Sequence, residues 1–258
     1  MSSSPSLKQF AGKVEIVTGA SAGIGKAIAD LLVKHGVIVA GLARRVQLVQ
    51  EHAKELMGEK GSLHAFQCDL SKQEETVATF QKVTSSLGPV SVLVNNAGIL
   101  SASGILDGEV EKWASVINTN VIAVALCTRE AVKIMKTNNI KGYIINVNSV
   151  AGHMVPDFPK MGLYPPSKHA VTALTETIRL EINREKLPIR ITSISPGYVE
   201  TEILEVAFGK ISKGTEWETV QETGLKDKDI ADAVFYVLST PEHVNVKELT
   251  ITRQGAQV

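Results

Sequence analysis

Seven short runs rich in β-branched and other apolar residues recur along the chain, separated by longer stretches with helical spacing. The runs cover residues 14–18, 37–41, 63–68, 90–94, 143–147, 189–194 and 248–252. Most are apolar nearly throughout, which is the pattern of parallel strands covered on both faces. Between them, residues 25–35, 47–57, 74–87, 109–136, 165–185 and 228–238 repeat apolar positions three or four apart, as amphipathic helices do. Strand–helix alternation at this rhythm needs right-handed crossovers and predicts an α/β fold with a doubly wound parallel sheet of about seven strands. No Pro/Gly/Ser linker or internal repeat divides the chain. Residues 10–258 are therefore read as one domain, preceded by a Ser-rich frayed tail over residues 1–9.

Composition narrows the function. Twenty-seven basic residues balance twenty-seven acidic ones in a chain of 258, so no field of one sign favours nucleic acid or an anionic membrane as partner. Cys68 and Cys127 are the only cysteines. Both lie in apolar segments, which fits a reducing compartment and no disulfide framework. No Cys/His spacing suggests a metal site. No apolar run approaches the ~20 residues that span a bilayer, so the expectation is a soluble, cytoplasmic protein.

Thr18-Gly19-Ala20-Ser21-Ala22-Gly23-Ile24-Gly25 follows the first strand and opens the first helix. Glycines 19, 23 and 25 remove Cβ atoms where the chain turns sharply and a pyrophosphate must approach the backbone. The unpaired N–H groups of the helix start can then bind the anion. Ser21 and Ile24 share that turn. At the end of the second strand, Ala43 stands where a carboxylate for a ribose 2′-hydroxyl is expected, and Arg44-Arg45 follow. A guanidinium suits a 2′-phosphate, so NADP(H) is favoured over NAD(H). Arg45 is equally readable as an ordinary solvated side chain. Asp69-Leu70 closes the third strand, where Asp69 could meet an adenine amine or cap the next helix. Asn95-Asn96-Ala97-Gly98 ends the fourth, as a floor beneath a ribose or simply as a turn.

Tyr164 and Lys168 lie four apart in Tyr-Pro-Pro-Ser-Lys, one helical turn and one face. A unit charge at ~4 Å and an effective dielectric of ~20 is worth about 4 kcal/mol. That would bring a phenol close to neutrality and make it a general acid/base for an alcohol proton. Pro165 and Pro166 are tolerated in a first helical turn, which places Tyr164 at the helix entry.

Taken in order, the Gly19-x-x-x-Gly-x-Gly25 turn, Asn95-Asn-Ala-Gly98, Asn120, Ser149, Tyr164-x-x-x-Lys168 and Pro196-Gly197 resemble the short-chain dehydrogenase/reductase family. The likeness runs from about Lys13 to Arg253. Stretches such as Ile145-Asn-Val-Asn-Ser-Val-Ala-Gly-His153 resemble one branch of it, that of insect farnesol dehydrogenases and an animal cytosolic dehydrogenase/reductase. The resemblance implies a Rossmann-type fold, a homodimer or homotetramer, and NADP(H)-linked oxidation of apolar alcohols or reduction of the matching carbonyls. It implies that Tyr164 moves the proton, that Lys168 lowers its pKa and bonds the nicotinamide ribose, and that Ser149 donates to the substrate oxygen. Asn120 would hold a water that links Lys168 to solvent; a structural amide is its other reading. Pro196, Gly197, Val199 and Thr201 would face the nicotinamide, although Thr201 could also cap a helix. Asn148 stands where many relatives carry a second serine, which leaves Ser149 as the sole candidate hydroxyl.

Residues 154–163 and 202–224 should wall the substrate. Their apolar side chains, including Ile203, Leu204, Val206, Phe208, Ile211 and Trp217, suit an apolar alcohol or carbonyl compound, such as an isoprenoid alcohol or a steroid. Residues 198–224 read as a lid, which Gly209 and Gly214 could let move. The competing reading is a non-catalytic protein that senses NADP(H).

Overall fold

The computed structural model describes residues 6–209 and 224–256. Seven parallel strands form one sheet: β1 Val14–Thr18, β2 Ile38–Ala43, β3 Ser62–Gln67, β4 Val90–Asn95, β5 Gly142–Val147, β6 Ile189–Pro196 and β7 Glu248–Ile251. Their order is β3-β2-β1-β4-β5-β6-β7. The chain fills one half outward from β1, then returns past β1 to begin the other half with β4. That reversal opens a crevice at the carboxyl ends of β1 and β4, where ligands bind in open α/β sheets.

The central strands β1, β4 and β5 are buried along their whole length, whereas the edge strand β7 alternates between exposed and half-buried. This is why the inner strands read as unbroken apolar runs. Helices α1 Gly23–Lys34, α2 Val46–Glu55 and α8 Asp227–Ser239 cover one face, with Ile28, Leu32, Val49 and Val234 in its core. On the other face lie α3 Gln73–Leu87, α5 Ala123–Thr137 and α6 Tyr164–Arg184, which contribute Phe80, Met135 and Ile182. Each such side chain fully buried adds about 1.5–3 kcal/mol. Helix α4 Val110–Ile117 and the short α7 Ile203–Phe208 complete the set.

Two expectations shift. The tail ends earlier than residue 9, because Leu7 is buried and the Gln9 amide donates to the Leu238 carbonyl. The single helix expected over residues 109–136 is α4 and α5 joined by a π turn, Asn118–Ile122. The expected Ile211, Gly214 and Trp217 lie outside the described residues. No helix among those described is long and apolar enough to cross a membrane.

Candidate active site

The glycine-rich turn and the end of β4 interlock. Thr18 Oγ1 accepts the Asn96 and Ala97 amides at 2.9 and 3.0 Å, and the Asn96 side chain donates to the Thr18 carbonyl at 2.9 Å. Gly19 has φ +67°, a left-handed conformation that favours glycine. A methyl group on Gly25 would come within 2.4 Å of Asn96 Nδ2 and of the Gly19 carbonyl, and one on Gly23 within 3.0 Å of Thr201. Helix α1 starts at Ala22 with no side-chain cap. Its first N–H groups are thus open to an anion, and the backbone cradle is too tight for any residue but glycine. These features fit the pyrophosphate of a dinucleotide. Behind them, Asn95 donates to Asn146 at 2.9 Å and Asn146 to Thr175 at 2.8 Å, a buried ladder that fixes β4, β5 and α6 together.

At the other end of the cleft, Arg44 is exposed, and Arg45 pairs with Glu202 at 2.9 Å. The Arg44 charge helps to hold the Asp69 carboxyl below the usual range, although the larger cause is the Ser71 side chain. Asp69 Oδ1 accepts the Ser71 hydroxyl at 2.7 Å and its amide at 3.1 Å, so this carboxylate does shape the turn after β3. Leu70 packs partly buried against the core.

A cavity of about 910 Å³ opens beside this cleft. Ser149, Tyr164 and Lys168 line it together, with Ile24, Asn96 and Gly98 and with Pro196, Gly197, Val199 and Thr201, the last of which abuts Gly23. Ser149 opens a 3-10 turn at the end of β5, and its Oγ accepts the Ala151 amide at 3.1 Å. Tyr164 is the first residue of α6, with two prolines behind it, as the sequence implied. Lys168 follows one turn later, 6% exposed; its Nζ donates to the Val147 carbonyl at 3.1 Å and lies 5.7 Å from the centroid of the Tyr164 ring.

The electrostatics differ from the expectation. Burial pushes the Tyr164 phenol above its ordinary value, with the Ser149 hydroxyl pulling the other way. Burial brings Lys168 down to about 8. In the protein alone, removing the phenolate from water outweighs the Ser149 hydrogen bond. Lys168 therefore does not by itself lower Tyr164.

Asn120 sits in the π turn, a geometry common at functional sites. Its side chain is engaged: Oδ1 accepts the Ile99 amide at 2.8 Å, and Nδ2 donates to the Ile99 carbonyl and to Ser167 Oγ. These bonds give the amide a structural part in tying residue 99 to α6. Gly98 lies beside it, close enough that a Cβ there would be 3.8 Å from Lys168 Nζ.

Apolar walls rise above the polar floor from Leu100, Val150, Met154, Phe158, Met161 and Leu204. The sequence reading missed part of this lining, namely residues 252–256, which close one side. The signal was available: whatever follows a parallel strand emerges at the carboxyl edge, where the site lies.

Residues 13–210 match the short chain dehydrogenase family. The chain belongs to that family. It is 45% identical over 254 residues to a farnesol dehydrogenase of Aedes aegypti, covering 96% of this chain and 99% of the relative. It is 39% identical over 248 residues to the human dehydrogenase/reductase SDR family member 11, with 95% of each covered. Among solved structures, an alcohol dehydrogenase from Thermococcus sibiricus complexed with 5-hydroxy-NADP superposes with a TM-score of 0.81 at 30% identity, over 95% of this chain and 98% of that one. A short chain dehydrogenase/reductase from Burkholderia phymatum in complex with NAD gives a TM-score of 0.82 at 26% identity, covering 93% and 89%. The protein is a short-chain oxidoreductase that works with a nicotinamide coenzyme.

Proposed function

We propose that the protein transfers a hydride between NADP(H) and an apolar alcohol/carbonyl pair, an isoprenoid alcohol of the farnesol kind or a steroid. The cavity carries this reading: a polar floor of Ser149, Tyr164 and Lys168 beneath apolar walls, opening beside the glycine cradle. The space of about 910 Å³ includes room for the nicotinamide end of the coenzyme, and its apolar part, walled by Leu100, Val150, Met154, Phe158, Met161 and Leu204, suits a terpenoid or a fused-ring body. The farnesol dehydrogenase relative supports the isoprenoid choice.

A bound nicotinamide coenzyme supplies the hydride acceptor in oxidation and the hydride donor in reduction. Gly19, Ser21, Gly23, Ile24 and Gly25 would hold its pyrophosphate, and Asn96, Ala97 and Gly98 the neighbouring ribose. Asp69 and Leu70 would border the adenine, with Pro196, Gly197, Val199 and Thr201 against the carboxamide. Arg44 is the guanidinium offered to a 2′-phosphate, since Arg45 is held by Glu202. The protein's own part is proton transfer and orientation. Tyr164 takes the hydroxyl proton in oxidation and returns it to the carbonyl oxygen in reduction. Lys168 would bond the nicotinamide ribose, and its charge together with that of the oxidised ring would favour the phenolate. Ser149 donates to the substrate oxygen as negative charge develops there. Asn120 would hold a water that links Lys168 to solvent. Residues 198–224 as a lid, a homodimer or homotetramer and a cytoplasmic location complete the proposal; exposed Val110, Ile122 and Leu180 offer apolar surface for a second copy.

The test is a panel of terpenoid, steroid and short aliphatic alcohols with NADP⁺ and NAD⁺, read by absorbance of the reduced ring. Turnover of the apolar members with NADP⁺ is expected, and Tyr164→Phe should lower it by at least ~10²-fold with coenzyme binding intact. Coenzyme binding without turnover of any alcohol would overturn the proposal in favour of a coenzyme sensor.

A further inference from the structure

One carboxylate oxygen at the start of β7 gathers three donors. Glu248 Oε1 lies 2.6 Å from Ser195 Oγ, 3.2 Å from Ser193 Oγ and 3.0 Å from His153 Nε2. His153 Nε2 is also 3.1 Å from Ser195 Oγ. These contacts fix the hydrogens. An ionised carboxylate only accepts, so both hydroxyls and the ring nitrogen donate to it. The single Ser195 hydroxyl proton then points at Glu248, and the Ser195 oxygen accepts from the same Nε2–H. His153 therefore carries hydrogen on Nε2, shared between two acceptors.

The place of this cluster gives it meaning. His153 terminates the 3-10 turn that Ser149 opens. Glu248 begins β7, and the chain leaving β7 becomes residues 252–256 of the cavity wall. The far side of the same turn is tied to α6: Asn148 Nδ2 donates to Thr172 Oγ1 at 2.8 Å, and Thr172 Oγ1 donates to the Gly152 carbonyl at 3.0 Å. The Ser149 turn is thus clasped between the helix that bears Tyr164 and the strand that leads to the carboxyl-terminal wall.

We infer that Glu248, acting through His153, is a positioning residue that fixes Ser149 relative to the carboxyl-terminal wall of the substrate cavity. The role rests on the reading of Ser149 as donor to the substrate oxygen. The Ser149 hydroxyl is bonded to the Ala151 amide and the His153 ring to Ser195 and Glu248, so the effect is on where the hydroxyl stands and not on its acidity. The glycine-rich cradle lies on other elements, whereas Glu248 also holds Ser195, the residue before Pro196-Gly197.

His153→Leu and Glu248→Leu remove the clasp, whereas His153→Gln places an amide N–H near the position of Nε2. Both leucine variants should lower kcat about tenfold or more, because small misplacements of a reacting group are costly. In His153→Leu, which leaves the bond between Glu248 and Ser195 in place, KM for NADP⁺ should stay within about twofold, and His153→Gln should restore kcat to within about threefold of the parent protein. Hydrogen exchange by mass spectrometry supplies a readout independent of turnover. In His153→Leu, amides of residues 148–152 and of 249–256 should lose protection together, with helix α1 unchanged. Unaltered kcat in both leucine variants, failure of the glutamine to restore it, or exchange that rises only around residue 153 would overturn the inference. Should the parent protein oxidise no alcohol, the proposed function fails. The paired change in exchange then still decides whether the two walls are coupled.

Discussion

Glu15 in the middle of β1 and Lys168 in α6 are both buried and both shifted by burial to about 8, from opposite directions. Their surroundings differ. Glu15 is fully buried and neither carboxyl oxygen has a hydrogen-bond partner. By the strand's alternation it shares a face with Val17, in the core beneath α1 and α8. Lys168 donates to the Val147 carbonyl, lies beside Tyr164 and borders an open cavity. A perturbed titration marks removal from water, which any core can impose. What marks a site is the convergence of such a group with other polar atoms on an accessible space.

Substitutions can break this contrast. Lys168→Met should lower turnover by ~10²-fold or more, and it should leave the fold no less stable. The lysine's folded pKa of about 8 lies below its ordinary value of 10.5, so the unfolded chain binds more protons between those limits. Stability should therefore rise with pH across that window, and the methionine variant should lose the rise. A loss of stability that parallels the loss of activity would place Lys168 with the structural groups. Glu15→Leu should do the reverse and change stability without touching turnover. Its folded pKa of about 8 lies above the ordinary 4.5, so the fold retains a proton that the unfolded chain releases. Stability of the parent protein should fall as pH rises from about 4.5 to about 8. Urea unfolding at pH 5 and pH 8 should show a difference on the order of 3 kcal/mol that the leucine variant removes. An unchanged slope would mean that Glu15 has a partner in solution.

Smaller effects sharpen the other end of the cleft. Arg44→Asp should shift the ratio of kcat/KM for NADP⁺ over NAD⁺ by about ten- to a hundredfold toward NAD⁺. An unmoved ratio would remove Arg44 from the phosphate site. Glu202→Gln breaks an exposed ion pair and should change stability by less than about 1 kcal/mol. The same change frees Arg45, so NADP⁺ should bind a few-fold more tightly in titration calorimetry. Weaker binding would show that the pair shapes the cleft.

The strands were legible where both faces are covered, because burial on two sides leaves no polar alternation to confuse the reading. β1 is found at the expected residues, even with Glu15 inside it, since four of its neighbours outvote one carboxylate. The entry of α6 at Tyr164 followed from proline sterics alone. The π turn over Asn118–Ile122 left no mark in the apolar period, because one extra residue per turn shifts the face too little to see. The direction of the Tyr164 shift depends on how much water the folded walls exclude, a quantity set by residues far away in the chain. The bonds of Asn120 to residue 99 and to Ser167 were not legible either, since hydrogen-bond partners belong to the tertiary structure. The same holds for His153, whose company with Glu248 comes from residues 95 positions apart.

The interlock of Thr18 with Asn96 has a consequence for how this enzyme can be altered. Two segments separated by 78 positions share their hydrogen bonds at the point where the dinucleotide would rest, so they behave as one hinge-free platform. A change at Asn96 will therefore act on the coenzyme site twice, at the residue itself and through the glycine-rich turn that it holds, and engineering of either segment alone will meet resistance from the other.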